Sequence, residues 1–162
     1  MLIIEVVQLD TNFSLALVDM QKKQAINELS QCNTKTAQYG LYLSDQQIDT
    51  MVMSRFNALK DTGRIEFGTG ILKKLVDAFC ASPYISQENY VDTIIELQEI
   101  FYYFKNESME RISDDELIEY MKNHFDDECQ GSLEYLTGTS LEELCRDLRY
   151  GRKYPFGKRN ER

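Results

Sequence analysis

The sequence predicts a mainly α-helical fold, a single-domain bundle of about five to seven helices. Three Ser-x-x-Glu/Gln patterns, at Ser44, Ser113 and Ser140, match the capping box found at helix starts. Apolar residues at helical spacing follow each pattern. The 162 residues also include only two prolines and eight glycines, too few for a turn-rich β-sandwich, and this length suits one domain.

The first 43 residues leave helix and strand open as alternatives. Residues 2–9 are apolar and rich in β-branched side chains, as in a strand, whereas the apolar positions from Phe13 to Leu29 fit a helix. Residues 41–43 and 64–67 are short apolar segments next to glycines. We expect these two segments to pair in a small β element.

Two of the capping boxes come with a glycine that can end the helix. The helix after Ser44 should end before Gly63, and the helix after Ser140 should end before Gly151. Glycine readily adopts the left-handed conformation that closes a helix C-terminus. Ser113 should begin a further helix.

Two more helices are predicted without a complete box. Residues 71–80 carry a wide apolar stripe, and Pro83 stops this helix because proline has no amide hydrogen to donate. Ser86 should cap the longest helix, roughly residues 87–106. Two apolar stripes run along that helix, so we place it at the centre of the bundle, against several neighbours.

The formal charge of −9 is unevenly distributed along the chain. Residues 1–85 carry nine acidic and eight basic side chains, residues 86–148 carry seventeen and four, and residues 149–162 carry one and six. We therefore predict a helical domain over residues 1–148 with an acidic surface. Residues 149–162 form a basic C-terminal tail, which is expected to dock on the domain through charge attraction.

The acidic triplet Asp126, Asp127 and Glu128 is the first candidate interaction site. It lies at the C-terminal end of the helix that Ser113 begins, where the helix dipole disfavours negative charge. Three interpretations remain open: a solvated helix end, pairing with cations of the protein such as those of the tail, or a divalent metal or basic partner. The alternating oxygen ligands and central glycine of an EF-hand are absent.

The tail is the second candidate site, through Arg152, Lys153, Tyr154 and Phe156. Basic residues interleaved with aromatic ones can bind nucleic acid by neutralising phosphates and stacking on bases. The same residues can instead anchor the tail on the acidic surface of the domain. We favour docking, because the acidic block would repel phosphate at close range.

The glycine-rich segment 63–70 is where we expect a ligand site, if one exists, with Arg64 and Glu66 as its charged members. Loops held by rigid helices often carry function. However, the segment matches neither the Walker pattern nor Gly-x-Gly-x-x-Gly.

Other catalytic and metal-binding patterns find no support in the sequence. His124 is the only histidine, which excludes a ferritin-like di-iron site, and it is expected to be a boundary side chain. The four cysteines are scattered without a Cys-x-x-Cys pair, so we expect reduced core side chains. We predict no catalytic residue, no metal and no cofactor.

No targeting or membrane-spanning segment is recognised. The apolar run after Met1 is short, is interrupted by Glu5 and lacks a basic start and a cleavage site. We expect a cytoplasmic protein without membrane contact.

Four segments resemble an uncharacterised bacterial domain-of-unknown-function family. They are residues 62–68 (TGRIEFG), 79–90 (FCASPYISQENY), 98–108 (QEIFYYFKNES) and 113–136. The resemblance covers roughly residues 40–150. The family has no assigned activity, cofactor or catalytic residue, so the resemblance implies a bacterial cytosolic origin and transfers no mechanism.

The function predicted from these observations is that of a non-enzymatic helical protein-interaction or regulatory module with an acidic surface. Two alternatives remain: nucleic-acid binding through the tail, and an enzyme with a site near segment 63–70 that follows no known motif. A protein partner is expected, and the oligomeric state is left open.

Overall fold

A computed structural model describes residues 2–151, with the side chains of residues 15–151. Over this range the chain forms a mainly α-helical bundle, as predicted, and contains no β-strand. Its six main helices are α1 (Leu2–Thr36), α2 (Asp45–Thr62), α3 (Ile71–Phe79), α4 (Tyr90–Glu107), α5 (Asp114–Asp126) and α6 (Leu141–Arg149). Short helical turns span Ala37–Tyr39 and Leu133–Tyr135, and the second continues into a π-helix, Leu136–Ser140.

Helix α4 lies at the centre of the bundle, as its two apolar stripes predicted. It packs against α2, α3, α5 and α6. Its side chains Tyr90, Ile94, Leu97 and Phe101 are completely buried. Among the helices described here, none has both the length and the apolar character that crossing a membrane requires.

The strand that we considered for residues 2–9 is wrong, because this segment is the first part of α1. A helix of 35 residues is about 52 Å long. The β-propensity of branched side chains is weak without a partner strand, and the described part of the chain offers none.

The predicted β element of residues 41–43 and 64–67 is also wrong, because neither segment forms a strand. The backbone groups of residues 41–43 are hydrogen-bonded to residues in α1 and in the turn before α4 instead. The side-chain amide of Asn33 donates to the carbonyl of Leu43 at 2.9 Å and accepts from its amide at 2.8 Å. Gln87 does the same for Tyr42, at 2.8 and 2.7 Å.

The remaining residue of this segment, Leu41, has its backbone amide and carbonyl hydrogen-bonded to Thr36 at the end of α1. The Leu41 amide donates to the Thr36 carbonyl at 3.2 Å, and the Thr36 hydroxyl donates to the Leu41 carbonyl at 2.9 Å. All three residues thus have both backbone groups paired, which removes the need for a partner strand. Leu41 and Leu43 are buried in the core.

Two of the three predicted capping boxes form caps. The Ser44 hydroxyl accepts from the Gln47 amide, and the Gln47 side chain reciprocates, which makes a complete box. The Ser113 hydroxyl accepts from the Glu116 amide at 3.2 Å. Ser140 makes no cap, since it belongs to the π-helix and its hydroxyl donates to the Glu128 carboxylate at 2.9 Å.

Helix α4 begins at Tyr90 and not at residue 87. The four preceding residues form a turn in which the Ser86 amide donates to the Asn89 side-chain oxygen at 2.9 Å. The side chain therefore closes a turn before the helix, and Asn89 takes the N-cap position.

All four cysteines are free and buried, as expected of core residues. Burial raises the pKa of each thiol, and in Cys145 it raises the pKa to about 11. The neutral thiol is the form that packs in these apolar sites.

The substitution Asn33→Ala should destabilise the protein by about 1–3 kcal/mol, because it leaves the amide and carbonyl of Leu43 without partners next to the core. Urea unfolding measures this free energy. The control Gln31→Ala, at an exposed position two residues earlier in α1, should change it by less than about 0.5 kcal/mol. Equal effects of the two substitutions would contradict the pairing role.

Candidate functional site

The apolar face of α2 ends in a buried cation. Ile48, Met51 and Val52 lie in the core, and Arg55 follows on the same face at helical spacing. The Arg55 residue is only 1% exposed. A buried guanidinium is stable only when paired and hydrogen-bonded, so its partners determine the local structure.

Glu66, in the loop between α2 and α3, is the carboxylate that neutralises Arg55. Its side chain is only 6% exposed, and its Oε1 lies 3.4 Å from the Arg55 Nε. The Tyr102 hydroxyl of α4 donates to the same oxygen at 2.7 Å, while the Arg64 Nε donates to Oε2 at 2.9 Å. Arg55 also donates from Nη1 to the Gly68 carbonyl at 2.6 Å. The loop is thus fastened to both helices.

The backbone around this cluster requires glycine at position 70. Gly70 has a φ of +54°, a conformation that side chains disfavour. A Cβ at this position would lie 2.1 Å from Glu66 Oε1 and 2.8 Å from Arg55 Nη2. Glycine therefore permits the loop to close directly over the ion pair.

A second carboxylate, Asp114, extends the cluster to α5. Its Oδ2 lies 2.5 Å from the Arg64 Nη2, and its Oδ1 lies 2.9 Å from the Lys105 Nζ. Lys105 is itself buried and also donates to the Ile112 carbonyl. Burial opposes ionisation of Asp114, but the hydrogen bond and charge of Lys105, together with Arg64, outweigh it and hold the pKa of this carboxyl below its usual range.

The outer side of the loop is apolar. Ile65 and Phe67 alternate with the inward-facing charged residues and are 82% and 80% exposed. The clustered charges beneath them fix the backbone that carries these side chains. The loop therefore presents two exposed apolar side chains on a backbone that the ion cluster holds.

Next to this loop, α2 and α4 enclose a groove of about 710 Å³, which we term the acidic groove. Its lining consists of Asp49, Thr50, Met53, Ser54, Asn57, Ala58, Asp61 and Thr62 of α2 with Glu99, Tyr102, Tyr103 and Asn106 of α4. Tyr102 contributes to its floor, while its hydroxyl holds Glu66, so the groove and the ion cluster share a residue.

The charged side chains in the described lining of the acidic groove are all acidic. Asp49, Asp61 and Glu99 are exposed acids, and none of the lining residues within the described part of the chain is basic. Within residues 15–151 these three carboxylates form no ion pair. Met53 and Tyr103 add apolar surface, at 41% and 55% exposure. An occupant that combines positive charge with an apolar side chain would match this surface.

Two members of the acidic triplet at the C-terminal end of α5 have partners within the domain. Asp126 pairs with Lys122 and accepts from the Ser82 hydroxyl at 2.5 Å. Glu128 pairs with His124 and accepts from Ser140. Asp127 is exposed at the end of the helix. Of the triplet, Asp126 pairs with a lysine of the protein, Lys122, which belongs to α5 itself.

The tail residues proposed from the sequence, Arg152, Lys153, Tyr154 and Phe156, lie outside the described residues. Arg64 and Glu66 lie together at the centre of the ion cluster. Among the described residues, no group of three or more His, Cys, Asp or Glu side chains is placed to hold a metal ion.

Sequence reasoning missed Arg55, Lys105 and Tyr102, which complete the cluster. The signal was available for Arg55, because it continues the apolar register of α2 at a core position. Lys105 similarly lies four residues after the buried Phe101, on the same face of α4. A long charged side chain at a core-facing position indicates a buried partner elsewhere in the chain.

Comparison with known proteins places these residues in a family context. A family model described as a family of unknown function, DUF6323, matches residues 28–154. The matched region contains the ion cluster and the acidic groove. No curated protein and no solved structure matches the chain.

Replacing Glu66 by Gln should destabilise the protein by roughly 3–5 kcal/mol, because it leaves the buried Arg55 without its charge partner. Chemical unfolding measures the loss. The control Glu96→Gln removes an exposed carboxylate of α4 and should cost less than about 0.5 kcal/mol. If both variants unfold at the same denaturant concentration, Glu66 does not hold the cluster together.

Asp114 should make stability fall in acid. Its pKa is lower in the folded than in the unfolded chain, so its contribution is present above about pH 4 and is lost as pH falls through the folded value. Unfolding free energies between pH 3 and 7 should decline less in acid for Asp114→Asn than for the wild-type chain. Identical pH profiles would show that this carboxylate carries no such contribution.

Proposed function

The chain belongs to the family of unknown function DUF6323, and we propose that it is a protein-interaction module whose acidic groove binds a basic segment of another protein. One observation supports this most directly: among the described residues, the groove combines apolar side chains with three acids that form no ion pair, and none of its lining residues is basic. A peptide with cations on either side of an apolar or aromatic residue complements both features.

The charge pattern favours a peptide over a small acidic metabolite. Negative charge at Asp49, Asp61 and Glu99 would repel phosphates and carboxylates, while it attracts Lys and Arg and accelerates their association. The groove also lies between two helices that pack against each other. Such surfaces accept extended or helical segments of a partner.

A second pocket of about 580 Å³ adjoins one end of the groove and shares Thr62, Tyr102 and Asn106 with it. Its lining adds Ile65 of the loop and the charged side chains of Arg64, Lys105 and Glu110. The exposed loop side chains can therefore add contact area for a partner that leaves the groove at this end. The buried Glu66–Arg55 pair holds the loop in place before binding, which reduces the ordering cost.

Selection of a random twelve-residue peptide library against the full-length chain tests this function. We expect the enriched peptides to contain two or more Lys or Arg residues next to an aromatic residue. Binding of the selected peptides should weaken as salt rises from 50 to 500 mM, because exposed charges are screened. Enrichment of acidic or uncharged peptides would contradict the proposal.

Groove variants identify where the selected peptides bind. Asp61→Asn with Glu99→Gln removes two exposed charges, each worth up to about 1 kcal/mol, and should weaken binding roughly three- to thirtyfold in fluorescence anisotropy. The control pair Glu88→Gln and Glu134→Gln removes two exposed acids outside the groove and should leave affinity unchanged. If both pairs behave alike, the groove is not the binding site.

A further inference from the structure

The end of the described chain is fixed close to one end of the acidic groove. Arg149, the last residue of α6, pairs with Glu107 of α4 at 3.7 Å. Arg111 donates from Nη1 to the carbonyls of Leu148 and Arg149, at 2.8 and 3.2 Å. These contacts hold the C-terminus of α6 against the C-terminal end of α4. The remaining chain starts from this point.

The acidic groove opens at the same end of α4. Tyr42 and Gln87 join the segments that precede α2 and α4, and the last turns of the two helices, at Thr62 and Asn106, both line the groove. The two helices therefore run in the same direction. Asn106 directly precedes Glu107, the partner of Arg149, so the C-terminal end of α6 lies next to this end of the groove.

The eleven residues that follow Gly151 are long enough to enter the groove. An extended chain of this length spans about 35 Å. The groove wall on α4, from Glu99 to Asn106, is about 10 Å long at 1.5 Å per residue. The chain can therefore turn back around the end of α4 and still cover the wall.

The composition of these residues complements the groove. Arg152 and Lys153 precede the Tyr154–Pro155–Phe156 segment, and Lys158 and Arg159 follow it. Cations thus flank two aromatic residues, whereas the groove places acids around an apolar floor. Proline restricts the preceding residue to extended conformations, which suits a segment lying along a groove.

We propose that residues 152–162 of the same chain occupy the acidic groove and cover it until a basic partner displaces them. This inference rests on the function proposed above. A segment attached this closely acts at an effective concentration on the order of millimolar, so only a partner that binds more tightly opens the site. The tail therefore sets an affinity threshold for partners.

Photo-crosslinking of the full-length chain tests the position of the tail. With Phe156→benzoylphenylalanine, we expect crosslinks within one chain to peptides from α2 and α4, at a yield that does not change on dilution. Asp61→Asn with Glu99→Gln should lower the yield at least threefold, whereas the control pair at Glu88 and Glu134 should not. Crosslinks to other helices, or crosslinks between chains that vanish on dilution, would overturn the inference.

A binding comparison separates failure of this inference from failure of the proposed function. The full-length variant Arg152→Gln, Lys153→Gln, Lys158→Gln and Arg159→Gln should bind a library-selected basic peptide at least tenfold more tightly than the wild-type chain, because its groove is uncovered. Equal affinities would show that the tail does not cover the groove, while the groove still binds basic segments. No binding by either chain would reject the groove function, and the tail inference with it.

Discussion

The arrangement of α2, α4 and the loop that follows α2 depends on the carboxylate of Glu66. A guanidinium placed by the register of α2 lies inside the bundle, and its burial is tolerable only if an anion reaches it. The loop supplies that anion, Gly70 allows the close approach, and Tyr102 donates a third contact from α4. The same residues join the two helices that line the acidic groove.

Charge in this protein falls into two classes with different physical roles. Glu66 is buried and Asp114 is partly buried, and both pair with cations of neighbouring elements, so they determine structure. Asp49, Asp61 and Glu99 are exposed and unpaired within the described chain, so they shape the electrostatic potential outside the molecule. The net charge does not distinguish these roles, since both kinds of acid contribute equally to it. The function that we propose depends on the second class, on a surface that Tyr102 connects to the first.

Structural features that depend on residues close together in the chain were predicted from the sequence. Features that depend on contacts between distant residues were missed. The caps at Ser44 and Ser113 follow from contacts over three residues, and the central position of α4 follows from its apolar width. Ser140 satisfied the same local pattern, but a distant carboxylate, Glu128, binds its hydroxyl. The β element predicted for segment 64–67 was wrong, because the partners of this segment, Arg55 and Tyr102, are far along the chain. Only the folded molecule brings them together.

The extended residues 41–43 have a consequence for association between molecules. An exposed extended segment normally offers free amides and carbonyls on which another chain can add a strand. Here Asn33, Gln87 and Thr36 occupy all six backbone groups of Leu41, Tyr42 and Leu43. The segment is thus closed as a template for intermolecular β-pairing, although its apolar sequence would favour such pairing in an unfolded chain. Two side-chain amides and the end of one helix provide the protection that a covering strand gives in a β-sheet protein.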